Sequence, residues 1–265
     1  MGAEKANHIN KSVLVIMPAY NASAYIESAI RSVMAQTYPH WQLLVIDDCS
    51  KDDTVAVVTR LCQEDQRIRL ICNEVNMGVA KTRNKGLDLC QGSCVAFLDS
   101  DDLWHPEKLR LQIEKMEQEN AQLVYASYGI MDSDGNPCKS PYVVAEHTDF
   151  NHLLKENVIG CSAVLIAESI AHTYRFVSDY HHEDYCLWLE ILRDGHKAVG
   201  CKEVLMTWRL ACGSRSFDKR NGARNRWRIY RQHLGLPFMK SALSFISYAI
   251  RGIIKYSRSE KVEDA

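Results

Sequence analysis

Several features that would assign this 265-residue chain to a particular class are missing from it. It has no run of about 18 uncharged apolar residues, the length that a membrane-spanning helix requires. Its ten cysteines form no C-x-x-C pair and mostly stand in apolar runs, so we expect reduced, buried thiols rather than zinc ligands or a disulfide framework. The first apolar run, residues 13–19, is too short for a secretory signal. These observations predict a cytoplasmic protein.

The chain also lacks a large net charge, since it carries only -1 at pH 7. That balance argues against a nucleic-acid binder. It conceals a strong asymmetry, however. Residues 204–258 hold twelve basic residues and one acidic residue, whereas the remainder holds 20 basic and 32 acidic residues. We therefore expect a dipolar molecule with a basic carboxy-terminal part.

The first half of the chain alternates short apolar runs with segments of helical periodicity. This alternation predicts an α/β fold with a mostly parallel, doubly wound sheet, whose ligands bind beyond the carboxyl ends of the strands. The second half is less regular, with predicted strands at 122–128 and 161–166, a turn at 134–135 and a helix at 184–192. The strand-like runs of the first half are residues 12–18, 42–46, 68–72 and 93–98.

Acidic residues follow two of the predicted strands. The run FLDSDD at 97–102 places three carboxylates directly after an apolar strand. Carboxylates this close together need a positive charge among them, and a divalent cation that bridges two phosphates would supply it. The alternative is a solvated turn that caps the next helix. The pair Asp47 and Asp48 follows another strand, where a carboxylate can accept the N3–H of uracil or cap a helix.

Two further segments bring charge to predicted helix starts. In NMGVAKTRNKG at 76–86, Gly78 lets the backbone approach a ligand, and Lys81 and Arg83 offer positive charge to it. Alone, this pattern is also typical of an ordinary helix start. In HHED at 181–184, a carboxylate could act as a general base or simply cap the helix. Zinc is a weaker interpretation, because adjacent histidines rarely converge on one ion.

In their order along the chain, these segments resemble the family 2 glycosyltransferases of GT-A fold, from residue 12 to residue 215. The carboxy-terminal part is similar to members of the teichuronic-acid and O-antigen type, down to WR at 208–209 and RWRIYR at 226–231. Cys49 departs from the family pattern, in which glycine or another small residue is common. The segments that carry the resemblance are PAYN at 18–21, DDCS at 47–50 with Asp52 and Thr54, residues 76–86, DSDD at 99–102 and ED at 183–184.

The resemblance implies a metal-dependent, inverting transfer of a hexose from UDP-glucose or UDP-galactose to a saccharide hydroxyl, which forms a β-linkage. The acceptor would be linked to polyprenyl diphosphate, in bacterial O-antigen or capsule synthesis. Asp184 is the implied catalytic base, Asp101 the implied ligand of Mn²⁺ or Mg²⁺, and Glu183 and Trp104 the implied acceptor-side residues. The implied nucleotide-sugar contacts are Pro18, Ala19, Tyr20, Asp48, Gly78, Arg83, Asp99, Ser100, Arg209 and Ser214, the last two covering the diphosphate with Arg215 in a mobile loop.

These observations predict a catalytic domain over residues 1–215, with nucleotide-sugar binding at 12–105 and the acceptor side at 106–215. Residues 216–265 would form a basic amphipathic helical tail that binds anionic lipid at the inner face of the cell membrane. Packing on the catalytic domain and a homodimer contact are the alternatives for this tail. Its predicted polar stripe is Lys240, Ser244, Ser247, Arg251, Lys255 and Arg258, opposite Leu243, Ile246, Ala249, Ile250, Ile253 and Ile254.

Two other functions are compatible with an α/β sheet that ends in acidic loops. A sugar nucleotidyltransferase would need a glycine-rich loop after the first strand to hold a triphosphate, but residues 18–23 contain no glycine. A non-catalytic, membrane-associated adaptor of the same fold would not need the acidic positions, yet all of them are filled. Hydrolysis of a nucleotide-sugar by the purified protein would separate both alternatives from a glycosyltransferase.

Overall fold

The four apolar runs of the first half form the parallel part of a central sheet. The computed structural model describes residues 11–210 and 219–259. The four strands pair in the order β3-β2-β1-β4, and neighbouring residues of β1 face opposite buried sides of the sheet. Burial on both sides explains the nearly continuous apolar sequences of β1, β2 and β4, whereas the edge strand β3 is only partly buried. The parallel order confirms the predicted fold class. The strands are β1 (Val13–Ala19), β2 (Trp41–Asp47), β3 (Ile68–Cys72) and β4 (Cys94–Phe97).

Helices cover both sides of these strands. The first helix buries Ile26, Ile30 and Val33 on one side, where the second helix also packs. The third helix buries Ala80 and Leu87 on the opposite side. This doubly wound arrangement leaves the carboxyl ends of β1, β2 and β4 at one edge of the sheet. The helices are α1 (Ile26–Met34), α2 (Thr54–Glu64) and α3 (Val79–Asp88).

The second half continues the same sheet through a short antiparallel strand that pairs with β4 on one side and with β6 on the other. The predicted strand at 161–166 is wrong in its first part, because Cys161–Ala163 forms a 3₁₀ turn. Strand β10 was not predicted, although its 12 residues pair with β6 in parallel along most of their length. The strands are β5 (Leu103–Trp104), β6 (Leu123–Met131), β7 (Pro137–Tyr142), β8 (His147–Thr148), β9 (Leu165–Ile166) and β10 (Ala198–Arg209).

The carboxy-terminal part packs against the body of the protein. The predicted boundary at residues 215–216 lies outside the described residues, but Ile229, Tyr230 and Leu234 beyond it are buried in the same core as α7. A π-helical turn, Ile229–His233, joins the last two helices. The helices of this half are α4 (Lys108–Gln118), α5 (Phe150–Lys155), α6 (Glu168–Thr173), α7 (Glu183–Arg193), α8 (Lys219–Arg228) and α9 (Phe238–Ser259).

Helix α9 presents two contrasting faces. Ser241 and Ser244 are buried against the protein, whereas Leu243, Ile246 and Ile250 are exposed. The predicted polar stripe is therefore wrong at Ser244, because the small serine side chains allow the helix to approach α5 closely. None of the described helices is long and apolar enough to cross a membrane.

Candidate active site

Asp48 lies at the carboxyl end of β2 and supports the loop that precedes α3. Its carboxylate accepts hydrogen bonds from the backbone N–H groups of Met77 and Gly78, each at 2.8 Å, and from Asn73 Nδ2 at 2.8 Å. Burial opposes ionisation, but these three donors outweigh it and hold the pKa of Asp48 below its ordinary value. Gly78 has φ +82°, a conformation that glycine adopts at little cost. Asp48 thus shapes the turn into α3.

Asp47 differs from its neighbour Asp48 in how its oxygens are used. Its Oδ2 accepts the Ser50 backbone N–H at 3.0 Å, but its buried Oδ1 has no hydrogen-bond partner among the described residues. A buried acceptor without a partner is costly, which marks this atom as one that a ligand donor could satisfy. Tyr20, which follows the parallel neighbour β1, is 51% exposed. The adjacent ends of β1 and β2 therefore carry an exposed aromatic ring and a buried, unsatisfied acceptor.

The acidic run after β4 forms a tight loop. The Asp102 backbone N–H donates to the Asp99 carbonyl at 3.2 Å, and the Asp99 N–H donates to Ser162 Oγ at 3.0 Å. Asp102 is buried, and its Oδ1 accepts the backbone N–H of Arg209 at 3.0 Å. Burial and the nearby negative charge of Asp101 raise the pKa of Asp102 well above its ordinary value. Asp102 therefore holds the loop to β10, whereas Asp99, Ser100 and Asp101 remain partly exposed.

One buried guanidinium connects this loop to the start of α7. Arg83 on α3 donates through one terminal nitrogen to Asp99 Oδ1 at 2.6 Å and through the other to Glu183 Oε1 at 2.7 Å. The Arg83 side chain is 3% exposed, and its Cζ lies 5.3 Å from the centroid of the Phe176 ring. Glu183 is also buried. Residues from three separate segments thus meet around a single positive charge.

Asp184 stands next to this cluster at the first turn of α7 and is partly exposed. Burial, together with the negative charge of Glu183, raises the pKa of Asp184 to about 7, although Arg83 acts in the opposite direction. A carboxylate with a pKa near the working pH is suited to take up a proton. Buried apolar side chains of the same helix, Leu187 and Leu189 among them, anchor it in the core.

Comparison with known sequences identifies the family. The chain matches the family described as Glycosyl transferase family 2 over residues 14–176. The putative teichuronic acid biosynthesis glycosyltransferase TuaG of Bacillus subtilis is 36% identical over 92% of this chain and 96% of its own length. The Escherichia coli enzyme WfgD, a UDP-Glc:alpha-D-GlcNAc-diphosphoundecaprenol beta-1,3-glucosyltransferase, is 35% identical over 92% and 95%. The chain belongs to glycosyltransferase family 2.

Solved structures agree on the fold of this glycosyltransferase. Staphylococcus aureus TarS 1–349 in complex with UDP-GlcNAc has a TM-score of 0.71 at 16% identity, covering 90% of this chain and 71% of TarS. The mannosyltransferase PcManGT of Pyrobaculum calidifontis, in complex with GDP-Man and Mn²⁺, has a TM-score of 0.66 at 17% identity, covering 90% and 69%. These likenesses confirm the predicted GT-A fold.

Two residues that were predicted on the acceptor side of this glycosyltransferase make their contacts within the protein. Trp104 on β5 is 4% exposed, and its indole Nε1 donates to the Ser162 carbonyl at 2.8 Å. Its predicted position on the acceptor side is therefore wrong, because an apolar ring with a satisfied N–H is stable in the core. Glu183 is held by Arg83, so its acceptor contact remains only a prediction.

Arg209, which was predicted to cover the diphosphate, is the last residue of β10 and is buried. Its Nε donates to the Asp101 carbonyl at 2.9 Å, and its guanidinium also donates to the Ser133 carbonyl at 3.0 Å. The guanidinium lies 4.5 Å from the centroid of the Tyr25 ring. Arg209 therefore supports the acidic loop from behind. Ser214, with Arg215, lies outside the described residues.

Two contributors to the site gave little signal in the sequence. Ser162 accepts a hydrogen bond from the Asp99 backbone and also hydrogen-bonds to Asp102, although it is 60 or more residues away from both. Asn73 joins Asp48 to Lys85, whose Nζ donates to Asn73 Oδ1 at 2.7 Å. A polar residue directly after β3 was the only hint for Asn73. Ser162 stood inside a segment that the sequence predicted as strand.

Proposed function

We propose that this glycosyltransferase moves a hexose from a UDP-sugar to a hydroxyl of a lipid-linked saccharide, with inversion at the anomeric carbon. The observation that carries the proposal is the Arg83 bridge, with its two contacts of 2.6 and 2.7 Å to Asp99 and Glu183. It joins the acidic loop to the first turn of α7, which also carries Asp184. A single displacement needs this proximity, because proton removal from the acceptor and departure of the diphosphate occur together.

Asp184 is the general base of the proposed reaction. The acceptor hydroxyl oxygen attacks the anomeric carbon from the face opposite the diphosphate, and its proton passes to the Asp184 carboxylate. The bond between the anomeric carbon and the diphosphate oxygen breaks, and its electron pair leaves with UDP. An α-linked donor thus gives a β-linked product. Glu183 is unsuited to the role because Arg83 already holds it at 2.7 Å.

The donor would bind along the ends of β1, β2 and β4. Pro18 and Ala19 would frame the nucleoside, and the exposed ring of Tyr20 would lie against the base. Asp48 and the orphaned oxygen of Asp47 would supply acceptors at the base edge, where uracil carries its N3–H. Asp99 and Ser100 would contact the ribose and sugar, while Gly78 and Arg83 complete the surrounding wall. The use of UDP-Glc by WfgD supports a UDP-sugar donor.

The partly exposed acidic loop after β4 could bind a divalent cation together with the diphosphate of the donor. Among the described residues, no three His, Cys, Asp or Glu side chains form a cage for a metal ion. Mg²⁺ at nucleotide sites is usually held by one or two carboxylates plus phosphates, for which a single partly exposed carboxylate suffices. Asp101 would hold Mn²⁺ or Mg²⁺, and the ion would supply positive charge to the diphosphate. PcManGT was solved with Mn²⁺, which supports this assignment by analogy of fold.

The acceptor and the cellular location are proposed from relatives and from α9. WfgD and the Escherichia coli enzyme WfaP act on GlcNAc-diphosphoundecaprenol. The exposed apolar residues Leu243, Ile246 and Ile250 would dip into the inner face of the cell membrane, next to anionic lipid. Flotation with phosphatidylglycerol vesicles should carry the protein upward, and Leu243→Ser with Ile246→Ser should reduce this. Equal recovery of both proteins in the soluble fraction would exclude the lipid contact.

The decisive experiment is a transfer assay with GlcNAc-diphospho-lipid, a panel of UDP-hexoses and Mn²⁺ or Mg²⁺. We expect one UDP-hexose to give a β-linked product, and excess chelator or Asp101→Ala to abolish its formation. Asp53→Ala is the matched control, because Asp53 is an exposed carboxylate without a side-chain cap hydrogen bond. Full turnover in chelator would contradict the metal assignment. Failure of every UDP-hexose, with turnover of another nucleotide-sugar, would contradict the donor assignment.

A further inference from the structure

The last two helices enclose a groove that the proposed reaction does not use. Its volume is about 590 Å³, within the range of about 300–1,000 Å³ that is typical of small-molecule sites. Cationic, amide and aromatic side chains line it together, a combination suited to a ligand that is charged at one end and apolar at the other. The lining residues are Ala223, Arg224, Trp227, Arg228, Gln232 and Phe245.

Two arginines form the charged wall of this groove. Arg224 and Arg228 are exposed and stand one turn apart on α8, so their side chains emerge on the same face. Among the described residues, no carboxylate forms a salt bridge with either of them, and Arg228 Nε donates to Gln232 Oε1 at 3.2 Å. Two neighbouring guanidinium groups match the oxygens of a diphosphate, which can accept paired hydrogen bonds.

Aromatic rings form the other wall, and α9, which supplies Phe245 to it, also carries an exposed apolar strip. The Trp227 ring lies edge-on to the rings of Phe238 and Phe245, with centroid distances of 5.8 Å in both pairs. Along α9, the strip follows at helical spacing, with residues that are between 53% and 67% exposed. A chain of isoprene units could pass from the groove along this strip. The strip consists of Met239, Leu243, Ile246 and Ile250.

The groove is attached to the segment that leads into the proposed base. Asn225 accepts the His181 backbone N–H at 3.3 Å, and Arg228 lies 5.5 Å from the centroid of the Tyr180 ring. Arg226 is buried between the rings of Tyr185 and Tyr248, at 4.2 and 4.0 Å. These contacts fix α8 and α9 against the first turn of α7. A ligand in the groove would therefore lie near the segment at Tyr180 and His181 that leads into α7.

We infer that the groove binds the polyprenyl diphosphate of the acceptor, with Arg224 and Arg228 on the diphosphate and Trp227 and Phe245 against the first isoprene units. This inference rests on the proposed function, since it supplies the binding site for the lipid-linked acceptor. Binding here would hold the acceptor sugar beside α7. It also gives the basic residues of α8 a specific ligand, beyond a general attraction to anionic surfaces.

Direct binding tests the site without the reaction. Geranylgeranyl diphosphate is titrated into the full chain with saturating UDP, and its binding is followed by Trp fluorescence and calorimetry. Arg224→Gln with Arg228→Gln should raise its Kd by about 10- to 100-fold, as the loss of charge-assisted hydrogen bonds predicts. The matched control, Arg69→Gln with Arg193→Gln, removes the same charge from exposed positions and should leave the Kd unchanged. Equal Kd values for both double variants would overturn the inference.

Two comparison ligands test the amphipathic character of the site. Geranylgeraniol lacks the charge and inorganic diphosphate lacks the chain, so each should bind at least about tenfold more weakly than the complete molecule. Inorganic diphosphate that binds as tightly as geranylgeranyl diphosphate would overturn the role of the aromatic wall. Geranylgeraniol that binds as tightly would overturn the role of the arginines.

Transfer kinetics separate failure of this site from failure of the proposed function. The arginine double variant should raise the KM for a GlcNAc-diphospho-lipid about tenfold or more, but leave transfer to methyl GlcNAc and hydrolysis of the UDP-sugar unchanged. An equal loss with both acceptors would overturn the groove assignment. If the wild-type protein transfers no hexose to either acceptor, the proposed function fails, and the binding titration then decides the site by itself.

Discussion

Two acidic loops at the same edge of the sheet, after β2 and after β4, use the same residue type in opposite ways. After β2, backbone and side-chain donors surround Asp48 and Asp52, and their pKa values are lowered although burial opposes this. After β4 and at the start of α7, carboxylates are buried near one another, and the pKa values of Asp102 and Asp184 are raised. The first loop is stabilised by its charges, whereas the second region bears charges that oppose one another.

The difference separates carboxylates that stabilise the fold from carboxylates whose raised pKa suits them to proton transfer. In the β2 loop, ionised carboxylates organise the turn into α3 and gain hydrogen bonds in return. The Arg83 guanidinium donates hydrogen bonds to Asp99 and Glu183, whereas the pKa of Asp184 is raised. Electrostatic strain of this kind is typical of functional sites. Substitution of Asp48 should therefore cost mainly stability, whereas substitution of Asp184 should cost mainly activity.

The largest effect is expected at Asp184. Asp184→Asn removes the proposed base, so kcat should fall by about 10²- to 10⁴-fold while the affinity for UDP stays the same. The stability of the fold should not decrease at pH 8, because the substitution also removes a partly buried negative charge beside Glu183. Steady-state kinetics and thermal unfolding measure the two effects. Glu183→Gln is the control, and near wild-type turnover of Asp184→Asn would show that the base is wrongly assigned.

The raised pKa of Asp184 also fixes the direction of the pH dependence. The base is active when ionised, so kcat/KM should rise with pH and level off above about 7. Because the folded state holds this proton more tightly than the unfolded state does, Asp184 should make the protein less stable as the pH rises from about 4 through 7. Asp184→Asn should remove that decline. A rate that is flat between pH 5.5 and 8 would contradict the assignment.

The next largest effect is expected at Arg83, where the two regions meet. Arg83→Met leaves the buried Glu183 and the partly exposed Asp99 without their cation, which should lower the free energy of unfolding by about 3–5 kcal/mol, most of it from Glu183. Urea unfolding measures this loss, and Glu183→Gln in the same chain should recover part of it. Arg67→Met is the matched control, since it breaks a partly exposed pair with Asp65 worth about 0–1 kcal/mol. Equal losses at both positions would contradict the bridge.

Asp48 tests the stabilising loop. Asp48→Asn replaces an ionised acceptor of three hydrogen bonds and should cost about 1–3 kcal/mol. Because the pKa of Asp48 is lowered, its contribution is complete above the unfolded value of about 3.9 and is lost as the pH falls further. Unfolding of the variant should thus depend less on pH between 3 and 5. Asp53→Asn, at an exposed position, is the control.

The smallest effect is expected at Cys49, the departure from the family pattern. Its φ of 68° is a left-handed conformation that an ordinary side chain adopts at a cost. Cys49→Gly should stabilise the fold by about 0.5–1 kcal/mol, after the greater chain entropy of glycine is subtracted. Cys138→Gly, in β7, should destabilise instead. Thermal unfolding decides between these signs, and a loss of stability at Cys49 would show that its contacts outweigh the backbone strain.

Much of the first half was predictable because three of its four strands, β1, β2 and β4, are almost fully buried. Continuous apolar runs marked β1 to β4, and their carboxyl ends located Asp48 and Asp99 at one edge of the sheet. Strand β10 escaped prediction because exposed residues interrupt it at Lys202–Val204, so that its sequence alternates poorly. The 3₁₀ turn at Cys161–Ala163 escaped because apolar content alone does not distinguish a strand from a buried turn.

The sequence by itself determined the family, the doubly wound sheet and the position of each acidic pair at a strand or helix end. Only the tertiary structure decided which carboxylate of each pair is committed to the protein. Arg83 binds the Glu183 carboxylate from 100 residues away, and the backbone N–H of Arg209 binds the Asp102 carboxylate across 107 residues. Neighbouring residues on a helix point about 100° apart. Glu183 on α7 therefore meets its distant partner Arg83, whereas the adjacent Asp184 points elsewhere.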